Sequence, residues 1–140
     1  MKIAFTAKRL YTPVEERQNP LLLVEDGLIS DVSSRSAKEV SSDASLVDFP
    51  EAVLVPGFVD IHMHGGAGLD LMRATPSDMP RLGKFLVTHG VTGYFATTVA
   101  APLDATCGAL ERLADAIETA TGDGDCVEAR PLGIHLEGPF

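Results

Sequence analysis

Val55-Pro56-Gly57-Phe58-Val59-Asp60-Ile61-His62-Met63-His64-Gly65-Gly66 is the stretch from which the fold can be read. A Pro-Gly turn leads into a short apolar run, two histidines stand two residues apart, and a glycine pair ends it. Side chains at i and i+2 of a strand share a face, with Cα atoms about 6–7 Å apart. The spacing therefore aims His62 and His64 side by side and turns Ile61 and Met63 to the opposite layer. Neutral imidazole is the commonest nitrogen ligand of a catalytic divalent metal, and two from one strand can hold the same ion. A pair of histidines at a strand end with no ligand has the same spacing, so the motif alone leaves both readings open.

On the C-terminal side, strand and helix alternate. Thr75-Pro76-Ser77-Asp78 has the composition of a helix start: a capping hydroxyl, a proline whose missing N–H costs nothing there, and an acid for the first turn. Met79, Leu82 and Leu86 recur at helical spacing with Phe85 beside them, and His89-Gly90 ends the run. His89 reads as a C-terminal cap rather than a ligand. Val91–Val99 is a second strand, and a second helix is expected from about Leu103 to Ala120. Its buried stripe is read as Leu110, Leu113, Ala114 and Ile117, with Glu111, Arg112, Asp115 and Glu118 toward water. Gly122-Asp123-Gly124-Asp125 lacks the ligand spacing and closing glutamate of a calcium loop and reads as a turn.

The third strand is Leu132-Gly133-Ile134-His135-Leu136-Glu137, followed by Gly138-Pro139-Phe140. Period two puts His135 and Glu137 on one face. Strand, helix, strand, helix, strand implies βαβ units, a parallel sheet and an α/β fold. Ligands of such folds gather at the carboxyl ends of the strands. His62, His64 and Glu137 all fall at that end, and polar residues converging there from separate strands are hard to explain as packing.

Residues 1–55 read as a small β-rich domain without a catalytic cluster. Lys2–Leu10 is a strand broken at Thr12-Pro13. Leu21–Glu25 and Leu28–Val32 flank Asp26-Gly27, the sequence of a type I′ hairpin turn. Ser33–Ser45 reads as a connection, and Leu46–Phe49 and Ala52–Val55 as two short strands.

Composition excludes several classes. With 45% apolar residues and a mean hydropathy of +0.14, the 140-residue chain belongs with globular proteins. No apolar run reaches membrane-spanning length, and Met1–Arg9 lacks the core of a signal peptide, so a cytoplasmic location is expected. Cys107 and Cys126 form no CxxC pair, which argues against a disulfide framework and a thiolate zinc site. Twenty acids against 11 bases give a net charge of −9 with no basic cluster, a poor surface for nucleic acid.

Two motifs together carry a family resemblance. Pro56–Gly65 resembles the first barrel strand of the amidohydrolase superfamily. His135-Leu136-Glu137-Gly138-Pro139-Phe140 resembles the third-strand signature of the N-acetylglucosamine-6-phosphate deacetylases, and narrows the choice sharply. The β-rich opening with its Glu25-Asp26-Gly27 hairpin is similar to the small β-sandwich that precedes the barrel in this family, so the resemblance spans essentially the whole chain.

The resemblance implies residues 56–140 as the first three βα units of a (β/α)8 barrel after a partial β-sandwich in residues 1–55. It implies Glu137 as the ligand of the catalytic divalent metal and His62 and His64 as a second metal position used by some members, with zinc or another transition metal present as one or two ions. Two further histidines and the aspartate general base are implied to lie in later strands, so no catalytic base is assigned within the chain. The implied reaction is hydrolysis of the acetamide of N-acetylglucosamine 6-phosphate, by a homo-oligomer (dimer) with no nucleic-acid or membrane partner. Since such a barrel needs about 250 residues and eight strands, the chain is expected to be an inactive fragment. His135, on the face of Glu137, is read as filling the barrel interior, with a hydrogen-bonding partner of the metal site as the alternative. Alternatives are another amidohydrolase acting on a cyclic amide or an aminated base (dihydroorotase-, allantoinase- or deaminase-like), and a non-catalytic remnant.

Overall fold

The computed structural model describes residues 1–120 and 127–138. The expected turn at Gly122–Asp125, Cys126 and the Pro139-Phe140 end of the second motif lie outside the described residues. The chain divides into two units, Met1–Pro56 and Gly57–Phe140.

In the first unit β1 (Lys2–Tyr11) is paired along both edges. Antiparallel β2 (Glu16–Gln18) and β3 (Pro20–Glu25) share one edge, β4 (Leu28–Ser34) extends the sheet beyond β3, and β5 (Ser45–Leu54) runs parallel along the other edge. The β3–β4 hairpin turns at Asp26 (φ 50°) and Gly27 (φ 82°), the left-handed pair that a type I′ turn requires. Two expectations are corrected here. The short strand β2 carries no apolar pattern and was not foreseen in the sequence. The two strands expected around Pro50 are one, because a register shift between Ala7 and Arg9 absorbs the proline, which a strand paired on one edge tolerates.

The second unit is built on a parallel sheet of order β10-β9-β6, from β6 (Phe58–Met63), β9 (Val91–Thr97) and β10 (Arg130–His135). Two-residue strands β7 (Gly65–Gly66) and β8 (Leu69–Asp70) follow β6 as a small antiparallel pair. A 3-10 turn (Pro76–Asp78) leads into α1 (Met79–Val87), and α2 (Leu103–Thr119) joins β9 to β10. The Asp78 carboxylate accepts the Thr75 backbone N–H at 2.9 Å, closing the helix start. At the other end the His89 Nδ1–H donates to the Phe85 carbonyl at 3.0 Å, a capping bond.

One face of the sheet packs on both helices: Met63, Tyr94, Ala96 and Ala129 bury against Met79, Leu82, Leu86, Leu113 and Ala116. Gly83 makes this close packing possible, since a Cβ there would stand 2.8 Å from the Ala129 carbonyl oxygen. The buried stripe of α2 is Thr106, Ala109, Leu113 and Ala116, rotated from the expected one, with Leu110, Ala114 and Ile117 half-buried. Small side chains take the centre because they let the helix approach the sheet. Arg112 is half-buried too, its guanidinium donating to the Met72 carbonyl at 2.7 Å rather than to water.

Candidate metal centre

The C-terminal ends of β6, β9 and β10 meet at one place. His62 is the fifth residue of β6, His64 follows its end, and Glu137 lies two residues past β10 rather than within it as the sequence pattern suggests. Their donor atoms nonetheless converge. His62 Nε2 is 3.1 Å and His64 Nε2 3.2 Å from Glu137 Oε2, and the two Nε2 atoms are 3.2 Å apart. Each side chain is close to half exposed, so the triangle opens to solvent.

Thr97 and Thr98, at the end of the middle strand, hold these ends in place. The Met63 N–H donates to Thr97 Oγ1 at 2.9 Å, and the Glu137 N–H to Thr98 Oγ1 at 3.2 Å. The Thr98 N–H donates to the His135 carbonyl at 3.0 Å. Both threonines are fully buried. Within the strand expected at Val91–Val99 neither threonine stands out, and this role is not read from the sequence. Two adjacent hydroxyls at a buried strand end were the available signal, since buried hydroxyls need partners.

A third contact fixes a tautomer. His64 Nδ1 lies 3.3 Å from the Thr97 carbonyl oxygen, which can only accept, so the proton sits on Nδ1. Nε2 is then left as a lone pair aimed at Glu137 and His62, the arrangement in which a carbonyl orients a metal-ligating imidazole. A cation placed between such donors would be held by all three. Among the described residues no Lys or Arg pairs with Glu137. A tetrahedral ion with bonds of about 2.0–2.1 Å separates its ligands by about 3.3–3.4 Å, close to the edges of this triangle. The donor set, two imidazoles and one carboxylate, therefore fits a divalent metal. It is also the one group of three such donors found among the described residues.

His135, expected to fill space, makes a specific contact. Its Nδ1–H donates to the Ile61 carbonyl at 2.9 Å, and its ring meets that of His62 edge-on with centroids 4.8 Å apart. Ile61, expected to face the helices together with Met63, is instead 67% exposed while Met63 is buried. The alternation fails because β6 is bulged there: Asp60 pairs with Tyr94 and Met63 with Ala96, three steps against two.

No protein-family model matches the chain. Curated relatives do. The chain is 34% identical over 134 residues, 96% of its length, to N-acetylgalactosamine-6-phosphate deacetylase of Escherichia coli O157:H7. It is 36% identical over 133 residues, 94% of its length, to N-acetylglucosamine-6-phosphate deacetylase of Bacillus subtilis (strain 168). It covers 32% of each, so the chain spans about a third of the length of the curated relatives it matches. Among solved structures it is similar to N-acetyl-D-glucosamine-6-phosphate deacetylase of Mycobacterium smegmatis, determined in complex with N-acetyl-D-glucosamine-6-phosphate. The TM-score is 0.80 at 28% identity, over 99% of this chain and 33% of that one.

Proposed function

The chain is similar over nearly its whole length to the N-terminal portion of the N-acetylglucosamine-6-phosphate deacetylases, and on that premise we propose that it carries part of the metal centre of such an enzyme. In this reading His62, His64 and Glu137 hold a divalent transition-metal ion. The observation that carries it is the convergence of two Nε2 atoms and Oε2 within 3.1–3.2 Å, with the His64 tautomer set by Thr97.

The reaction is hydrolysis of the acetamide of N-acetylglucosamine 6-phosphate to glucosamine 6-phosphate and acetate. A bound divalent cation supplies Lewis acidity toward the amide carbonyl and toward the attacking water. The chain's own residues set how strongly. Glu137 contributes a negative charge that two neutral imidazoles do not, tempering the positive site. The Thr97 carbonyl holds the His64 ring in plane and raises the basicity of its Nε2. The general base and two more histidines are assigned to the remainder of the enzyme.

We further assign β6, β9 and β10 with α1 and α2 as the first three βα units of a (β/α)8 barrel, and the five-stranded unit as part of a β-sandwich. The strand order and the parallel pairing of β6, β9 and β10 support the barrel assignment. The complete enzyme is proposed to be a cytoplasmic homo-oligomer acting on a small amino-sugar phosphate.

The relatives named above differ in the configuration of their sugar, glucosamine against galactosamine, so the test offers both 6-phosphates. Acetate release and bound metal are measured on the complete enzyme and on Glu137→Gln. Loss of both in the variant is expected. A variant that keeps its metal and its turnover overturns the assignment, and release of ammonia or ring opening of a cyclic amide would point to a different amidohydrolase.

A further inference from the structure

A bulge frees backbone groups from the ladder, and in β6 those groups have found side-chain partners. Ile61 and His62 have no counterparts in the β9 register, which steps from Asp60–Tyr94 to Met63–Ala96. The His62 N–H donates to Asp60 Oδ1 at 3.1 Å. The Ile61 carbonyl accepts from His135 Nδ1 at 2.9 Å. The two atoms of the Ile61–His62 peptide that a bulge leaves unpaired are thus both satisfied, one from within β6 and one from β10.

The second bond has a long reach. β9 lies between β6 and β10, so His135 ties the two outer strands together over the middle one. Its ring also stands edge-on to His62, at an interplanar angle of 83°, while His64 flanks the other contact at 89°. Period two alone already puts His62 on the side of His64; the bulge moves Ile61 off the helix side, where alternation would carry it with Met63, and so shifts the peptide from which the His62 side chain projects. Ile61 and His62 are exposed, so these side-chain partners fix where the freed peptide points rather than rescue it from burial.

We propose that Asp60 and His135 are positioning residues: they hold the β6 bulge through the Ile61–His62 peptide and so direct the His62 imidazole onto the donor triangle. This rests on the metal-centre reading above. Neither residue is a ligand in this account. The carbonyl contact commits the His135 proton to Nδ1, so the residue acts as a donor.

The test compares zinc affinity of the complete enzyme, by competition with a chromophoric chelator, with backbone amide exchange of His62 in the metal-free enzyme. His135→Leu and Asp60→Ala remove the donor and the acceptor. His135→Asn places an amide N–H where Nδ1 was, and Asp60→Asn keeps an oxygen acceptor. Removing such supporting partners is expected to weaken zinc binding about 10–100-fold. Asp60→Ala additionally speeds His62 amide exchange, and the two asparagine variants recover most of the affinity. A space-filling role would make His135→Asn no better than His135→Leu, and that result, or wild-type affinity in His135→Leu, overturns the proposal. Because amide exchange is read without metal, a wild type that binds no zinc sinks the metal centre itself, whereas zinc binding unaltered in all four variants sinks only the positioning role.

Discussion

The two units use their charged side chains differently. Among the described residues, every ion pair of a Lys, Arg or N-terminal cation with a carboxylate lies in Met1–Pro56, eight in all, from Met1–Asp26 to Lys38–Asp31. In the second unit the arginines with assigned partners hold backbone without an ion pair: Arg81 donates to the Ala67 carbonyl and Arg112 to the Met72 carbonyl, each at 2.7 Å, whereas Arg17 of the first unit pairs with Glu15 as well as donating to the Val32 carbonyl at 3.0 Å. The Ala67 and Met72 carbonyls belong to the loop that follows His64. Of the second unit's carboxylates, Glu137 meets the imidazoles of His62 and His64, while Asp60, Asp70 and Asp78 accept backbone N–H groups. The first unit spreads charge over a solvated sheet, where each pair is screened. The second commits charge to fixing loops at one end of a sheet, where displacement would be felt by the donor triangle. Charge count would not distinguish the units; the partners of the charges do.

The contrast breaks most visibly if the triangle is dismantled. Glu137→Gln is expected to lower the metal affinity of the complete enzyme by about 100-fold while leaving the denaturation midpoint of the metal-free protein unchanged, since the side chain is exposed. Isothermal titration with zinc and urea unfolding measure the two halves. Gly65→Ala should damage both, because Gly65 has a φ of 139° and a Cβ there would lie 2.1 Å from the Leu69 carbonyl oxygen. If Gly65→Ala folds and binds metal normally, the loop after His64 does not matter to the site.

A smaller effect sharpens the arginine half of the comparison. Arg112→Leu keeps much of the apolar stem but leaves the Met72 carbonyl without its donor. Loss of a partly buried, charge-assisted bond costs about 1–3 kcal/mol. The expected outcome is that loss in urea unfolding, with faster amide exchange confined to the loop around Leu71 and Met72. Uniform faster exchange across α2 would mean that the residue serves the helix and not the loop.

How much of this was legible follows the same division. His62 and His64 were found because a strand has a period of two and their spacing matches it. Glu137 was found by motif, and its place beyond the strand end was not. The helix start at Thr75 and the cap at His89 were readable because capping is local chemistry between residues a few positions apart. What stayed hidden depends on non-local pairing. The bulge at Ile61 is fixed by Asp60 and by a histidine 74 positions away. Thr97 and Thr98 acquire their roles only once β6 and β10 lie on either side of β9. The rotated stripe of α2 reflects a choice between Leu110 and Ala109 that periodicity cannot make, since both fall within one apolar face.

Tyr94 offers a prediction that reads the core of the second unit alone. Its ring is fully buried and its hydroxyl has no hydrogen-bond partner among the described residues. Burial, with the Glu128 charge adding to it, pushes the phenol up to about 12. Tyr94→Phe removes an unsatisfied polar atom, so stability at neutral pH should rise by about 1 kcal/mol. The alkaline side follows from linkage. The folded phenol keeps its proton where the unfolded one, near 10, has lost it, so the stabilisation is complete below about 10 and is lost as pH rises toward about 12. Wild type should therefore fall relative to Tyr94→Phe by about 1.4 kcal/mol per pH unit within that window. Parallel curves for the two proteins would show that the hydroxyl is solvated after all.

The smallest effect expected is in the first unit, at the Lys38–Asp31 pair. Nζ lies 2.9 Å from Oδ2, and Lys38, followed by Ser33, holds the Asp31 carboxyl below the usual carboxylate range. A depressed carboxyl adds stability above its unfolded value and loses it as pH falls through the folded one. Lys38→Ala should thus differ from wild type only at neutral pH and low salt, by no more than the scatter of a denaturation midpoint. The difference should vanish in acid, where Asp31 is protonated in both states, and in high salt, where the pair is screened. A large loss at neutral pH that survives salt would mean that this pair anchors the end of β4 rather than decorating it. The division between a solvated unit and a committed one would then have to be redrawn.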